Sequence, residues 1–126
     1  MRVATESDWA IVQEHIASHI VKFPPGVPRE MPGYWDGVWM LSSNEACSMY
    51  WKESENDVRM ILVWNSTKAS SYGAKELVGF AKRYSKKPII FSTYSGVSDG
   101  TRRAFEKWGF VPDGSDENWM NFRYAS

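Results

Sequence analysis

The sequence predicts a single α+β domain built on a mixed, mostly antiparallel sheet with flanking helices. Three observations carry that expectation. The chain has 126 residues, the size of one domain. Its apolar residues switch repeatedly between a period of two and a period of 3.6. The segments marked in this way follow in the order β-α-β-β-β-α-β-α-β. Three successive strands joined by short polar turns predict an antiparallel meander. The strand-helix-strand that follows predicts a right-handed crossover with parallel strands.

The elements follow in order. Arg2-Val3-Ala4 is a short apolar start. Thr5 offers an N-cap, with Asp8 three residues on in a variant of the capping box. Trp9, Val12, Ile16 and Ile20 form the buried stripe of a helix over 6–21. The segment 23–37 holds four prolines and three glycines, which regular structure does not tolerate. A loop of that length is commonly functional. Three strands are then expected at 38–41, 46–52 and 57–64. In the second, Cys47, Met49 and Trp51 alternate with Ser48, Tyr50 and Lys52, the pattern of a half-buried strand. The third ends solidly apolar, so that end is covered on both faces.

After the polar loop 65–71, Ala74, Leu77, Val78 and Ala81 mark a helix over 72–84. The run 89–94 is rich in β-formers and makes the next strand. Thr101, Ala104, Phe105 and Trp108 mark a helix starting at Ser98 or Asp99, with Gly109 at C′ and Phe110 packing behind it. A Pro-Asp-Gly turn then leads to a last strand over 119–124.

Composition narrows the function classes. Nineteen aromatics, 43% hydrophobic and 24% charged residues exclude a disordered chain. The net charge is zero, so a strongly basic nucleic-acid clamp is not indicated. Residues 1–63 hold 5 basic and 9 acidic side chains, and residues 64–126 hold 10 and 6. The stretch 68–107, with 9 basic against 3 acidic, is where an anion is expected to bind. Cys47 is the one cysteine, so neither an internal disulfide nor a thiolate zinc cluster is expected. No apolar leader and no membrane-length apolar run is present, and a cytoplasmic protein is expected. His15 and His19 stand at i, i+4, a spacing used for metals. No third ligand accompanies them, and they are read as partly exposed helix residues, with no metal assigned.

One stretch is more specific: Ser98-Asp99-Gly100-Thr101-Arg102-Arg103-Ala104-Phe105-Glu106-Lys107-Trp108-Gly109-Phe110. It resembles the Asn-x-x-Ala-x-x-Phe-Tyr-Glu-Lys-x-Gly-Phe pattern of the GNAT superfamily of acyl-CoA-dependent N-acyltransferases. Glu106, Lys107, Gly109 and Phe110 match directly. Ser98 stands in the Asn position and Phe105 in the Tyr position. The opening Arg2 to Asp8 is similar to the family's start, and the element order is similar over nearly the whole chain. The compact form is similar to GNAT-like proteins carried by bacteriophages.

The resemblance implies acetyl transfer from acetyl-CoA to an amine of a small molecule or protein. It places the pantetheine arm on the backbone of the fourth strand, where that strand splays from the fifth, at Leu62, Val63 and Trp64. It places the pyrophosphate in the loop entering the following helix, at Lys68, Ser70, Ser71, Gly73 and Ala74, with Ser98, Arg102 and Phe105 nearby. Independently, a polar loop entering a helix presents free N–H groups to phosphate. The family loop reads Gln/Arg-x-x-Gly-x-Gly/Ala, and Ala69 to Ala74 keeps its last position only. Phe105 has no proton to give a departing thiolate, which leaves Tyr94 and Ser98 as the positional candidates. Glu45, Glu53 and Asp57 are the carboxylates on the strands where such enzymes place a base. Tyr34, Trp35 and Trp39 are the expected border of the acceptor pocket or of a protein interface. The implied alternative is a GNAT-like binding module without turnover, acting through a protein partner.

Overall fold

The computed structural model describes residues 1–19, 37–64, 71–94, 99–115 and 119–124. Its strands are β1 (Arg2–Val3), β2 (Val38–Leu41), β3 (Cys47–Glu53), β4 (Val58–Trp64), β5 (Ile89–Tyr94), β6 (Val111–Ser115) and β7 (Trp119–Tyr124). Its helices are α1 (Trp9–His19), entered through a 3-10 turn Glu6–Asp8, then α2 (Ser71–Tyr84) and α3 (Asp99–Lys107). The strands form one sheet in the order β1-β2-β3-β4-β5-β7-β6. All neighbours are antiparallel except β4 and β5. This is the expected meander followed by the expected parallel crossover. The part of the expected first helix beyond residue 19 lies outside the described residues.

The sheet is covered on two faces by different helices. On one face Val12 and Ile16 of α1 pack on Trp39, Tyr50 and Val63. On the other, Leu77, Val78 and Ala81 of α2 and Phe105 of α3 pack on Met49, Met60, Leu62 and Phe91. Strand β3 therefore differs from its expected half-exposed pattern: Cys47, Ser48, Met49 and Tyr50 are all buried. The reason lies on α1. His15 is only 1% exposed, where a partly exposed residue was expected, and it shares a 2.7 Å hydrogen bond with Ser48 Oγ through Nδ1. That bond satisfies a hydroxyl whose burial is otherwise costly. Cys47 faces the opposite core, and burial pushes its thiol pKa up to about 12.

The chain also differs from expectation after α3. Gly109, at φ +93°, ends the helix as foreseen. Its amide donates to Glu106 O and the amide of Phe110 donates to Phe105 O, both at 3.0 Å, the two bonds of a Schellman motif. The Pro-Asp-Gly segment that follows, however, is a strand rather than only a turn. β6 pairs with β7 at the edge of the sheet, with a register shift between Pro112 and Ser115. An edge strand tolerates Pro112 because one side of its backbone needs no partner, and Gly114 at φ +92° fits the irregularity.

Lys82 ties the α2/α3 face together. Its Nζ donates to Trp108 O at 2.6 Å and lies 4.8 Å from the centre of the Tyr124 ring. A cation at the end of α3 also suits the helix dipole. Gly79, by contrast, is exposed in the middle of α2, and a Cβ there would meet nothing within 4 Å. A glycine in a helix interior costs about 1 kcal/mol relative to alanine, and nothing in the packing of the described residues requires one. No helix among the described residues is long and apolar enough to cross a membrane.

The aromatic cluster anchors the core. Phe91 stacks on Phe105 with centroids 3.9 Å apart and meets Phe110 and Phe122 at 6.5 and 6.4 Å. Phe91→Ala is expected to cost about 3–5 kcal/mol, read as a lowered urea midpoint. Tyr84→Ala, at an exposed position, is expected to change stability by less than about 1 kcal/mol.

Candidate active site

The site begins where two strands part. β4 and β5 pair through Val58↔Ile89, Arg59↔Ile90 and Met60↔Phe91, and there the pairing stops. β4 runs on beside β3 as far as Trp64↔Cys47. β5 runs on beside β7 as far as Tyr94↔Trp119. Each strand keeps its outer neighbour and loses its inner one, so the sheet opens into a fork. Paired strands lie about 4.8 Å apart and satisfy each other's N–H and C=O groups. Among the described residues, the ladder between β4 and β5 ends at Met60. A slot of this kind suits an extended ligand that carries its own amides.

The side chains on β4 fix the strand while leaving its backbone to the fork. Leu62 is buried in the α2 face and Val63 in the α1 face, and half-buried Trp64 packs against the α2 face. Phe105 is 3% exposed. It stacks on Phe91, the last β5 residue in register with β4, and so belongs to the apolar packing at the root of the fork.

The start of α2 lies beyond the open end of β4. Ala74 packs against the α2-face core. Gly73 was expected to allow close approach of a phosphate. In the fold its closeness serves packing: a Cβ there would come within 2.8 Å of Ser42 Oγ and 2.9 Å of Asn44 Oδ1, so glycine lets α2 dock on the β2–β3 turn. Glu76 reinforces that dock by accepting from the Ser43 amide at 2.7 Å. Partial burial works against its ionisation, but the hydrogen bonds from Ser43 outweigh it and hold its pKa below the usual range. On α3, Arg102 is half-buried and Arg103 exposed.

Other expected site residues fall differently. Lys68, Ser70, Ser98, Tyr34 and Trp35 lie outside the described residues, and the side chains of Ser71 and Tyr94 are not among those described. Tyr94 ends β5 at the open side of the fork. Trp39 is corrected: it sits within β2, is 4% exposed and packs on Tyr50 with centroids 5.6 Å apart. It is core, and it borders a hollow of about 230 Å³ beside Trp9 and Gly37.

The carboxylates are occupied. Glu45 accepts from Arg2 at 3.0 Å. Glu53 pairs with Lys87 and Asp57 with Arg59. The last two flank the β3–β4 turn, at the closed end of the fork, roughly 20 Å from its opening at strand rise. Among the described residues no group of three or more His, Cys, Asp or Glu could hold a metal.

The structure adds a pair that the sequence did not single out. Ser92, the first β5 residue within the fork, donates to Asn121 Oδ1 at 2.8 Å. The alternation of β5, with Phe91 in the α2 face, turns Ser92 to the α1 side. That alternation was visible in the sequence, but its pairing with a distant asparagine was not.

The architecture has close counterparts among solved structures. An acetyltransferase of the GNAT family from Bacillus anthracis superposes with a TM-score of 0.68 at 14% identity, covering 99% of this chain and 95% of that one. The Salmonella typhimurium protein yncA, described as an acetyltransferase and solved with its cofactor acetyl-CoA, superposes with a TM-score of 0.67 at 12% identity, covering 98% and 91%. The chain has the GNAT fold. No family model matches the chain, and no curated protein matches it. In this GNAT fold the fork stands between the fourth and fifth strands, where the sequence resemblance placed it.

The N-terminal edge of the GNAT fold is held by an ion pair. Arg2 Nη2 donates to Asp8 Oδ1 at 2.8 Å, and the Thr5 amide donates to Asp8 Oδ2 at 3.0 Å. The Arg2 guanidinium first, and then the Thr5 amide, hold the Asp8 carboxyl well below the usual carboxylate range. A depressed folded-state pKa adds stability above the unfolded value, near pH 4, and loses it as pH falls further. The stability gap between the native chain and Asp8→Asn is therefore expected to be full at pH 6 and to shrink as pH falls from about 4 to about 2. Urea titrations at each pH measure it, and a gap independent of pH would refute the assignment.

Proposed function

We propose that the chain is an acyl-CoA-dependent N-acyltransferase that moves acetyl from acetyl-CoA to an amine of a protein or small molecule. The observation that carries this reading is the fork: β4 loses β5 after Met60 while both keep their outer partners. The fork fits the pantetheine arm because the arm carries amides and the β4–β5 pairing ends at Met60, short of Leu62, Val63 and Trp64. The start of α2 is the matching place for the pyrophosphate, through helix N–H groups and the positive end of the dipole. Its Ser71, Gly73 and Ala74 belong to that role, with Lys68 and Ser70 shortly before it in the sequence. Arg102 of α3 adds positive charge, and Ser98 stands just before that helix.

When bound, acetyl-CoA supplies an acetyl thioester. The chain's part is to hold the thioester at the fork, admit an unprotonated amine from the other side and give the departing sulfur a proton. Phe105 is buried in the core and has no proton to give. Tyr94, at the open end of β5, and Ser98 are the donors we assign.

A second reading is favoured by one observation. The aromatic packing around Phe105 fills the position of the expected acid, as in a GNAT-like module that binds a protein partner without turnover.

Acetyl-CoA at about one hundred times its Kd is expected to stabilise the chain by about 2.7 kcal/mol, raising Tm by roughly 10 °C. An unchanged Tm at millimolar acetyl-CoA would refute binding. Tyr94→Phe is expected to lower kcat about 100-fold with acetyl-CoA affinity unchanged. Binding with no transfer to any of a panel of polyamines and peptide amines would favour the module.

A further inference from the structure

The outer face of α2 carries a groove of about 600 Å³ that takes no part in the fork. Its lining includes Tyr72, Lys75, Gly79, Phe80, Arg83 and Tyr84. Tyr72 and Tyr84 are 65% and 61% exposed. Phe80 is braced from behind by Trp51, with centroids 6.1 Å apart, and from the side by Tyr84 at 4.7 Å. Lys75, Gly79 and Arg83 follow at i, i+4 and i+8, so they share one stripe of the helix. The glycine is thus a notch with a cation on each side. Neither Lys75 nor Arg83 has an ion-pair partner among the described residues.

Two features call for an occupant. The glycine weakens the helix, yet a Cβ there would meet nothing within 4 Å among the described residues. Among the described residues the two cations have no acid as an ion-pair partner. Their separation along the axis is about 12 Å at helix rise. In an extended peptide, residues four apart are about 13 Å apart and lie on one face, with a third side chain midway between them.

We propose that this groove docks an extended acidic peptide of a partner protein. Its carboxylates, four residues apart, meet Lys75 and Arg83, and an apolar side chain between them enters the notch over Gly79 against Phe80. A nucleic-acid strand fits less well. Its phosphates form a continuous row, whereas the groove offers two separated cations, and Glu76, also in the lining, is engaged by Ser43 and the N-terminal amine.

The probe is a glycine-flanked peptide Glu-Ser-Phe-Ser-Glu, titrated into the full chain by calorimetry. Two control peptides carry lysine in place of both glutamates, or phenylalanine moved one place along. The native peptide is expected to bind, and each control to bind about ten times more weakly or not at all. Gly79→Ala is the decisive variant: it is expected to raise Tm by about 4 °C and to weaken peptide binding at least about tenfold. The double variant Lys75→Glu/Arg83→Glu is expected to keep its Tm and lose binding. A Gly79→Ala chain that binds the peptide as the native chain does would overturn the proposal. So would a lowered Tm in that variant, equal binding of the shifted peptide, or tighter and strongly salt-dependent binding of a thymidine oligonucleotide. None of these readouts involves acetyl transfer.

Discussion

The fold depends on a divergence that its neighbours make affordable. β4 and β5 are the one parallel pair in the sheet, and they hold together over three residue pairs only. Parting two central strands exposes backbone groups that ordinarily pair, a cost the chain limits by keeping β3 and β7 in full register on the outer sides. The ring stack of Phe91, Phe105 and Phe122 closes the root. α2 follows β4 and α3 follows β5 in the chain, so each branch of the fork feeds the helix that packs behind it.

The two faces of the sheet are finished differently. The α2/α3 face is apolar and aromatic, stitched at its far end by Lys82. The α1 face holds a buried polar pair, His15 and Ser48. A buried pair of this kind fixes how the helix sits on the strand, because a shifted register would leave both groups without each other. The fork opens between an apolar, aromatic wall and a face that holds a buried hydrogen-bonded pair.

Much of the fold was legible because its signals are local. The 3.6 period of α2, the apolar run of β4 and the β-formers of 89–94 lie within single elements, and their bounds match closely. The Schellman turn at Gly109 was legible for the same reason. What was not legible depends on partners distant in sequence. Ser48 reads as an exposed strand position until α1 covers it. Trp39 reads as the border of a pocket until α1 covers its face of β2. Val111 to Ser115 reads as a turn because an edge strand accepts a proline that an inner one refuses. Of the site, the place of the fork was foreseen through the resemblance. The packing role of Gly73, the pairing of Ser92 with Asn121, and the ion pairs that occupy Glu53 and Asp57 required the assembled sheet.

The irregular edge at β6 bears on how the protein behaves in a crowd. A straight outer strand is an invitation to any passing chain, since its free amides and carbonyls stand ready in register. Here a visiting strand would meet a missing amide at Pro112 and a broken register before Ser115. At the opposite margin β1 offers only two residues. Both margins of the sheet thus refuse lateral growth by shape rather than by charge, a protection against fibrous aggregation that changes in salt leave intact.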